Sequence, residues 1–74
     1  MKKLYKEQKN SIYRIGKETG LNLEGLYKYA KGKSHPKNMK ASNVLKIAYL
    51  EKIEPNILMK KMIEYWNENF KENK

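Results

Sequence analysis

The segment between residues 12 and 32 restricts the fold of this chain more than any other part of its sequence. Two short runs whose apolar residues recur every three or four positions, at about 12–19 and 23–31, are separated by Gly-Leu-Asn at 20–22. Glycine enters the left-handed conformation that ends a helix without strain, and asparagine accepts hydrogen bonds from the free amides of a following helix. The segment therefore predicts two helices joined by a tight turn.

Each of these two helices has an inward and an outward side. Ile12, Ile15 and Thr19 share the inward face of the earlier helix, which Ser11 caps. Gly16 costs roughly 0.5–1 kcal/mol relative to alanine within a helix, so it indicates either a close neighbouring backbone or a tolerant site. In the later helix, one side carries Leu26, Tyr29 and Ala30, and the opposite side carries Glu24, Lys28 and Lys31, with Tyr27 beside them.

Three more helices are predicted around this pair. Leu4 and Tyr5 within a Lys/Glu/Gln run indicate a first helix at about 2–9. After a basic loop at 33–40, a fourth helix at about 41–52 has an apolar face that is expected to be buried, comprising Val44, Leu45 and Ala48, with Ile47 beside them. Pro55 suits the first position of a last helix, at about 55–71.

The length of 74 residues allows one small hydrophobic core. We therefore expect a single all-α domain, residues 1–74, built as a compact five-helix bundle. Residues 1–54 would form its core, with the paired helices at 12–32, and the helix at 55–71 would close the bundle and offer a surface for dimerisation.

The last predicted helix is apolar over an unusually wide arc. Its two stripes, about 100° apart, are Leu58, Met62 and Tyr65, and Met59, Ile63, Trp66 and Phe70. One stripe is enough to pack this helix on a small bundle, so the second stripe is expected to contact another partner. An isologous homodimer is the favoured partner. The alternative is that the first helix and Met1 cover this stripe within one chain.

The chain is strongly basic, and its excess charge is unevenly distributed. The formal net charge is +9; residues 1–40 hold eleven basic and three acidic side chains, whereas residues 41–74 hold six and five. A cationic surface attracts polyanions by releasing their counterions, which suits DNA, RNA or an acidic membrane equally well. A lysine-rich surface that serves only solubility is the alternative.

Several classes of protein are disfavoured by residue types that the sequence lacks. Without cysteine there is no disulfide framework and no thiolate metal site, and no N-terminal apolar run indicates a signal peptide or a membrane span. We therefore expect a cytoplasmic protein with no membrane partner. Because aspartate, cysteine and paired acid and base residues are missing, we expect no catalysis, no metal site and no cofactor. His35, the single histidine, is expected to be an ordinary loop residue.

A set of small and apolar residues carries a resemblance to a known family: Ile15-Gly16, Gly20-Leu21, Leu26, Tyr29 and Gly32-Lys33, followed by Ile47-Ala48, Leu50, Ile53 and Pro55. In these residues, over roughly 2–63, the chain resembles the Cro/repressor-type helix-turn-helix family, also called the xenobiotic-response-element (XRE) family. The resemblance implies a lambda-repressor-like five-helix bundle whose second and third helices form the helix-turn-helix. Gly16, Thr19 and Gly25 depart from the family pattern, which bears on stability more than on fold.

The resemblance further implies that the third helix lies in the major groove of DNA with its N-terminal residues at base edges. The base-contact candidates are Leu23, Glu24, Tyr27 and Lys28. Lys28 can donate to guanine O6 and N7, Glu24 can accept from the cytosine amino group, and Leu23 can lie against a thymine methyl. Each of the other three has an open alternative: Leu23 as core, Glu24 as an ion-pair partner of Lys28, and Tyr27 as a phosphate contact.

Phosphate contacts are expected on both flanks of the third helix. Asn10, Ser11 and Tyr13 surround the start of the second helix, where free amides favour an anion. On the other flank, the candidates at and after the end of the third helix are Lys31, Lys33, Ser34, Lys37, Asn38 and Lys40.

The leading hypothesis is a sequence-specific, double-stranded DNA-binding transcriptional regulator of phage or mobile-element type. It would be a repressor that binds a palindromic operator as a homodimer. The alternative is a small phage-type protein-interaction module, an antirepressor or anti-CRISPR-like inhibitor, that keeps the helix-turn-helix frame and uses the second stripe of the last helix on a host or phage protein. RNA binding or membrane adsorption would need only the charge and would leave the glycine turn unexplained.

Overall fold

The computed structural model describes residues 2–71, and every regular element in that range is helical. The four α-helices are α1 (Ile12–Thr19), α2 (Leu23–Ala30), α3 (Ala41–Glu51) and α4 (Pro55–Asn69); a short 3₁₀ helix, Pro36–Asn38, lies between α2 and α3. The prediction of an all-α chain is confirmed. The predicted count of five helices is not confirmed, since this part of the chain holds four α-helices and one short 3₁₀ helix.

The helices pack around one cluster of buried apolar side chains. Helix α1 contacts α2 and α3, α3 contacts α4, and the 3₁₀ helix packs on α4. Ile15, Ile47 and Leu58 have no exposed surface, and burying each contributes about 1.5–3 kcal/mol. The other buried apolar residues of the cluster are Leu4, Tyr5, Ile12, Leu26, Ala30, Met39, Val44, Ala48 and Met62.

Both ends of α1 and the start of α2 are capped by residues that the sequence predicts. Ser11 Oγ accepts from the amide three residues later at 3.1 Å. Gly20 ends α1 in the left-handed conformation, with a φ of 78°. Asn22 Oδ1 accepts from the amides two and three residues later, at 2.7 and 3.3 Å. These local hydrogen bonds satisfy amides that would otherwise be unpaired at the helix ends.

Gly16 lies where α1 meets the beginning of α2. A Cβ at this position would lie 2.6 Å from Leu23 Cδ2 and 3.2 Å from the carbonyl oxygen of Leu21. A neighbouring backbone atom is close, as predicted, but the nearest atoms belong to the side chain of Leu23. The absence of a side chain at Gly16 allows Leu23 to pack against α1.

The predicted first helix at about 2–9 is wrong. The N-terminal segment (residues 2–11) contains turns and bends and no helix. Leu4 and Tyr5 nevertheless enter the core, where they are 4% and 1% exposed. The apolar residues identified in this segment are thus buried, but irregular backbone rather than a helix carries them.

Hydrogen bonds to side chains account for the irregular backbone of the N-terminal segment. The amide of Leu4 donates to Gln8 Oε1 at 2.7 Å, and the amides of Lys9 and Asn10 donate to the carboxylate of Glu51 at 2.7 and 2.9 Å. Buried backbone amides require partners, and here side-chain oxygens supply what helical carbonyls would otherwise provide. Long-range polar contacts therefore override the local helical pattern.

The buried face of α3 differs from the predicted one by one residue. Val44, Ile47 and Ala48 are buried as predicted, but Leu45 is 55% exposed, so its assignment to the core is wrong. The fourth buried member of this face is Glu51, which has no exposed surface. These four residues follow the 3.6-residue period of the helix, whereas Leu45 lies off that stripe.

Candidate nucleic-acid interface

The outward side of α2 carries two exposed charged residues one helical turn apart, Glu24 and Lys28. Among residues 2–71, the one ion pair joins Lys61 to Glu7 at 3.4 Å, so the alternative pairing of Glu24 with Lys28 is not formed. Both side chains are free to meet a ligand. Asn22 lies just before them and fixes the start of α2.

Leu23 and Tyr27, the other two base-contact candidates, are half-buried and pack against the core. Leu23 lies over Gly16, which favours its alternative role as a core residue. The ammonium of Lys31 lies 5.9 Å from the centroid of the Tyr27 ring, at the limit of a cation–π contact. The two members of this set that project furthest into solvent are therefore Glu24 and Lys28.

The candidates at the start of α1 have different freedom to bind phosphate. Tyr13 is 60% exposed, and Ser11 is exposed while its hydroxyl oxygen caps α1. Asn10 is half-buried: its backbone amide and its side-chain Nδ2 both donate to Glu51 Oε2, at 2.9 and 2.6 Å. Asn10 therefore serves first to hold the N-terminal segment, and one of its two Nδ2 hydrogens remains free for a ligand.

An open groove of about 400 Å³ runs between the N-terminal segment and the two helices that follow it. Its wall includes lysines from the N-terminal segment and a tyrosine from each of α1 and α2, namely Lys2, Lys3, Lys9, Tyr13 and Tyr27. No glutamate of the described residues lines this groove. The sequence did not predict the groove, because it depends on the irregular course of the N-terminal segment.

The basic loop after α2 carries the remaining phosphate-contact candidates. Lys31, Lys33, Lys37, Asn38 and Lys40 are exposed, and Ser34 is half-buried. The amides of Lys33 and Ser34 donate to the carbonyl oxygen of Lys28, at 2.9 and 3.2 Å, which ties the loop to the end of α2. These charged residues come directly after α2, the helix that carries the base-contact candidates.

His35 lies in this loop, as the sequence predicts, and it has a structural role there that was not predicted. Its Nδ1 accepts from the amide of Lys37 at 3.1 Å and caps the 3₁₀ helix. Its ring lies 4.6 Å from the ring of Trp66 on α4. The histidine thereby attaches the loop to the last helix.

The second stripe of α4 is half-buried at all four of its residues, Met59, Ile63, Trp66 and Phe70. Trp66 contacts His35, and Phe70 lies against Gly32, where any Cβ would collide with its ring. The loop after α2 thus covers part of the stripe. Neither the homodimer hypothesis nor the alternative of covering by the first helix and Met1 predicted this. Met1, named in that alternative, lies outside the described residues. A dimer through the rest of the stripe stays a prediction.

The more exposed apolar side chains lie on α3 and at the start of α4 rather than on the second stripe of α4. Tyr49 and Leu45 are 89% and 55% exposed and lie four residues apart on the outer side of α3, and Ile57 at the start of α4 is 45% exposed. Because residues at i and i+4 share a helix face, Leu45 and Tyr49 form a small apolar patch.

Glu51 is the important residue that sequence reasoning missed. Its carboxylate accepts from the Tyr5 hydroxyl, from the amides of Lys9 and Asn10, and from Asn10 Nδ2. Burial alone would raise the pKa of Glu51, but the hydrogen bond from the Lys9 amide, with those from Tyr5 and Asn10, brings it below the usual value. An acidic residue spaced to continue the stripe of Val44, Ile47 and Ala48 was the available signal.

The pKa of the Tyr5 hydroxyl shifts in the opposite direction to that of Glu51. Burial, followed by the hydrogen bond to Glu51 and the negative charge of that residue, raises the pKa of the Tyr5 hydroxyl well above its ordinary value of 10.0. Tyr5 is therefore a neutral donor to Glu51 throughout the physiological pH range.

Within residues 2–71, no three histidine or glutamate side chains lie close enough together to hold a metal ion. None of the helices described here has the length and apolar character needed to cross a membrane. Comparison of the chain with known protein-family models, curated proteins and solved structures finds no match.

Proposed function

We propose that this chain is a sequence-specific, double-stranded DNA-binding regulator of transcription. In this proposal α1 and α2 form a helix-turn-helix, as the resemblance to the Cro/repressor-type family implies, and α2 enters the major groove. The observation that carries the proposal is the exposure of Glu24 and Lys28, one turn apart on a short helix whose start is capped by Asn22. A helix held in this way can offer both side chains to base edges with little loss of conformational freedom.

The surroundings of α2 support DNA over other polyanions. Exposed lysines follow this helix in the loop after α2, so positive charge lies next to its end. Phosphate contacts of this kind set register and supply affinity, while base contacts supply sequence preference. RNA or an anionic membrane would use the charge and leave the capped turn without a role.

The regulator is proposed to act in the cytoplasm as a repressor, by occupying an operator that polymerase would otherwise use. A homodimer would bind a palindrome whose half-sites lie about 34 Å apart, one turn of DNA. The dimer contact is proposed on the remaining exposed surface of the second stripe of α4, centred on Met59 and Ile63.

The first experiment is selection of bound sequences from random duplexes, because it measures binding, preference and half-site symmetry together. On the selected site, Lys28→Ala should weaken binding by about 1–3 kcal/mol and relax the preference at one base pair. Lys46→Ala, which removes an equally exposed lysine from α3, is the matched control and should leave the preference unchanged. An equal loss on every sequence for Lys28→Ala would contradict base reading.

A second candidate function, a protein-interaction module, is favoured by the apolar patch of Leu45 and Tyr49. Sedimentation equilibrium distinguishes the surfaces: Ile63→Glu should convert a dimer to a monomer, and Tyr49→Ser should leave the dimer intact. Loss of the dimer in Tyr49→Ser would move the interface to α3. A wild-type chain that stays monomeric and binds duplex DNA only weakly at physiological salt would favour the interaction module.

A further inference from the structure

The groove beside the N-terminal segment unites features that suit a nucleic-acid strand. Three of its lining residues, Lys2, Lys3 and Lys9, are cationic, and two others, Tyr13 and Tyr27, are aromatic with a hydroxyl. Ammonium groups pair with phosphate oxygens, and tyrosine hydroxyls donate to them. The groove thus offers several donors to the phosphate oxygens of a phosphodiester backbone.

The groove is continuous with the side of α2 that is proposed to meet DNA. Tyr27 lines the groove and lies on α2 between Glu24 and Lys28 in sequence. A duplex bound to the exposed side of α2 therefore brings its adjoining backbone toward the groove. A free anion would explain the lysines but would give no reason for this continuity.

Glu51 fixes the side of the groove that the N-terminal segment provides. Its carboxylate holds the amides of Lys9 and Asn10, and it also accepts from the buried Tyr5 hydroxyl. The segment is thereby attached to α3 before any ligand arrives. Fixing a binding segment in advance removes the ordering cost that a flexible arm would incur on binding.

We propose that the N-terminal segment is a second DNA contact of this protein: its groove seats the sugar-phosphate backbone beside the bases that α2 reads, and Glu51 is its positioning residue. This inference rests on the proposed function. It adds a phosphate-binding element formed by Lys2, Lys3 and Lys9, and it assigns Glu51 the role of holding that element in place.

The direct test measures the salt dependence of binding to the selected duplex. The double variant Lys2→Ala/Lys3→Ala should make the slope of log K against log salt shallower by about two, because each lost phosphate contact removes about one. Base preference should stay that of the wild type. The double variant Lys46→Ala/Lys60→Ala removes the same charge from exposed positions on α3 and α4, and its slope should change much less. Equal slope changes in the two double variants would overturn the proposal.

Phosphate ethylation interference locates the contact. Ethylation at phosphates flanking the recognised bases should block binding of the wild type and should cease to matter for Lys2→Ala/Lys3→Ala. An interference pattern that is the same in both proteins would also overturn the proposal. If Lys28→Ala relaxes base preference while these results fail, only the groove is excluded. If no variant and no wild-type chain binds duplex DNA, the proposed function fails along with it.

The role of Glu51 is tested by Glu51→Gln, with circular dichroism to identify temperatures at which the variant is folded. In the folded variant, the slope and the ethylation pattern should shift toward those of Lys2→Ala/Lys3→Ala, while base preference is retained. Tyr5→Phe removes one donor and leaves the carboxylate, so it serves where Glu51→Gln does not fold and should produce a smaller shift in the same direction. Wild-type slopes and patterns in the folded variants would exclude a positioning role.

Discussion

The N-terminal segment and the α1–α2 pair are neighbours in sequence, yet they are held by different kinds of interaction. Ser11, Gly20 and Asn22 close α1 and α2 through contacts that span two to four residues. The N-terminal segment is held by Glu51, whose partners lie 41 to 46 positions away in the sequence. The first region follows its local pattern, and the second is held by a buried carboxylate together with local hydrogen bonds of Gln8. In this protein the helical pattern forms helices where local caps satisfy the terminal amides, and it does not form one where Glu51 accepts hydrogen bonds from the backbone amides.

The comparison predicts that the largest loss of stability comes from removing the carboxylate. Glu51→Ala leaves the Tyr5 hydroxyl and the amides of Lys9 and Asn10 without their acceptor, and a buried unsatisfied group costs about 1–3 kcal/mol. Because part of this segment can regain water, we expect the free energy of unfolding to fall by about 2–4 kcal/mol in total. Urea unfolding monitored by circular dichroism measures it. Glu64→Ala, at an exposed position on α4, is the control and should change stability by less than about 0.5 kcal/mol.

Lowering the pH should weaken the hydrogen bonds that Glu51 accepts, with a smaller loss of stability than Glu51→Ala causes. The pKa of Glu51 is below its usual value of 4.5 in the folded chain, so the folded state binds this proton more weakly than the unfolded state does. The stabilisation is therefore complete above pH 4.5 and is lost as the pH falls through the folded pKa. The effect is smaller than that of Glu51→Ala because a protonated carboxyl still accepts hydrogen bonds. Thermal unfolding between pH 6 and pH 3 should show a steeper decline for the wild type than for Glu51→Gln; parallel curves would contradict this account.

The same two regions explain which parts of the molecule could be predicted. The caps, the glycine turn and the inward stripes of α1 and α2 are local signals that appear in the structure, whereas Tyr27, predicted beside the outward residues, packs against the core. The course of the N-terminal segment and the covering of Trp66 by His35 depend on partners distant in sequence, which periodicity does not reveal. The sequence pattern placed Glu51 as a charged residue on an apolar stripe, but it does not predict which residues donate hydrogen bonds to it. The groove was unpredictable for the same reason, because its outer wall is the N-terminal segment.

Within the α1–α2 pair, Gly16 should be the position most sensitive to an added methyl group. A Cβ there would press on Leu23 and on the carbonyl oxygen of Leu21. Overpacking costs about 1–3 kcal/mol, from which the better helix propensity of alanine returns roughly 0.5–1 kcal/mol. We expect Gly16→Ala to lower the free energy of unfolding by about 1 kcal/mol, measured by urea unfolding. A more stable Gly16→Ala chain would mean that Leu23 moves aside freely and that the contact is loose.

Substitution of Gly25 should change the free energy of unfolding least, and in the opposite direction. It lies in α2, a Cβ built there meets no atom of the described residues within 4 Å beyond its chain neighbours and the backbone of its own helix, and its φ is not positive. Gly25→Ala should therefore raise the free energy of unfolding by about 0.5–1 kcal/mol, because alanine loses less backbone entropy in the helix. Urea unfolding of Gly16→Ala and Gly25→Ala side by side compares the same substitution at a packed and an open position. If both variants change stability in the same direction, then helix propensity, rather than packing against Leu23, governs glycine in this pair of helices.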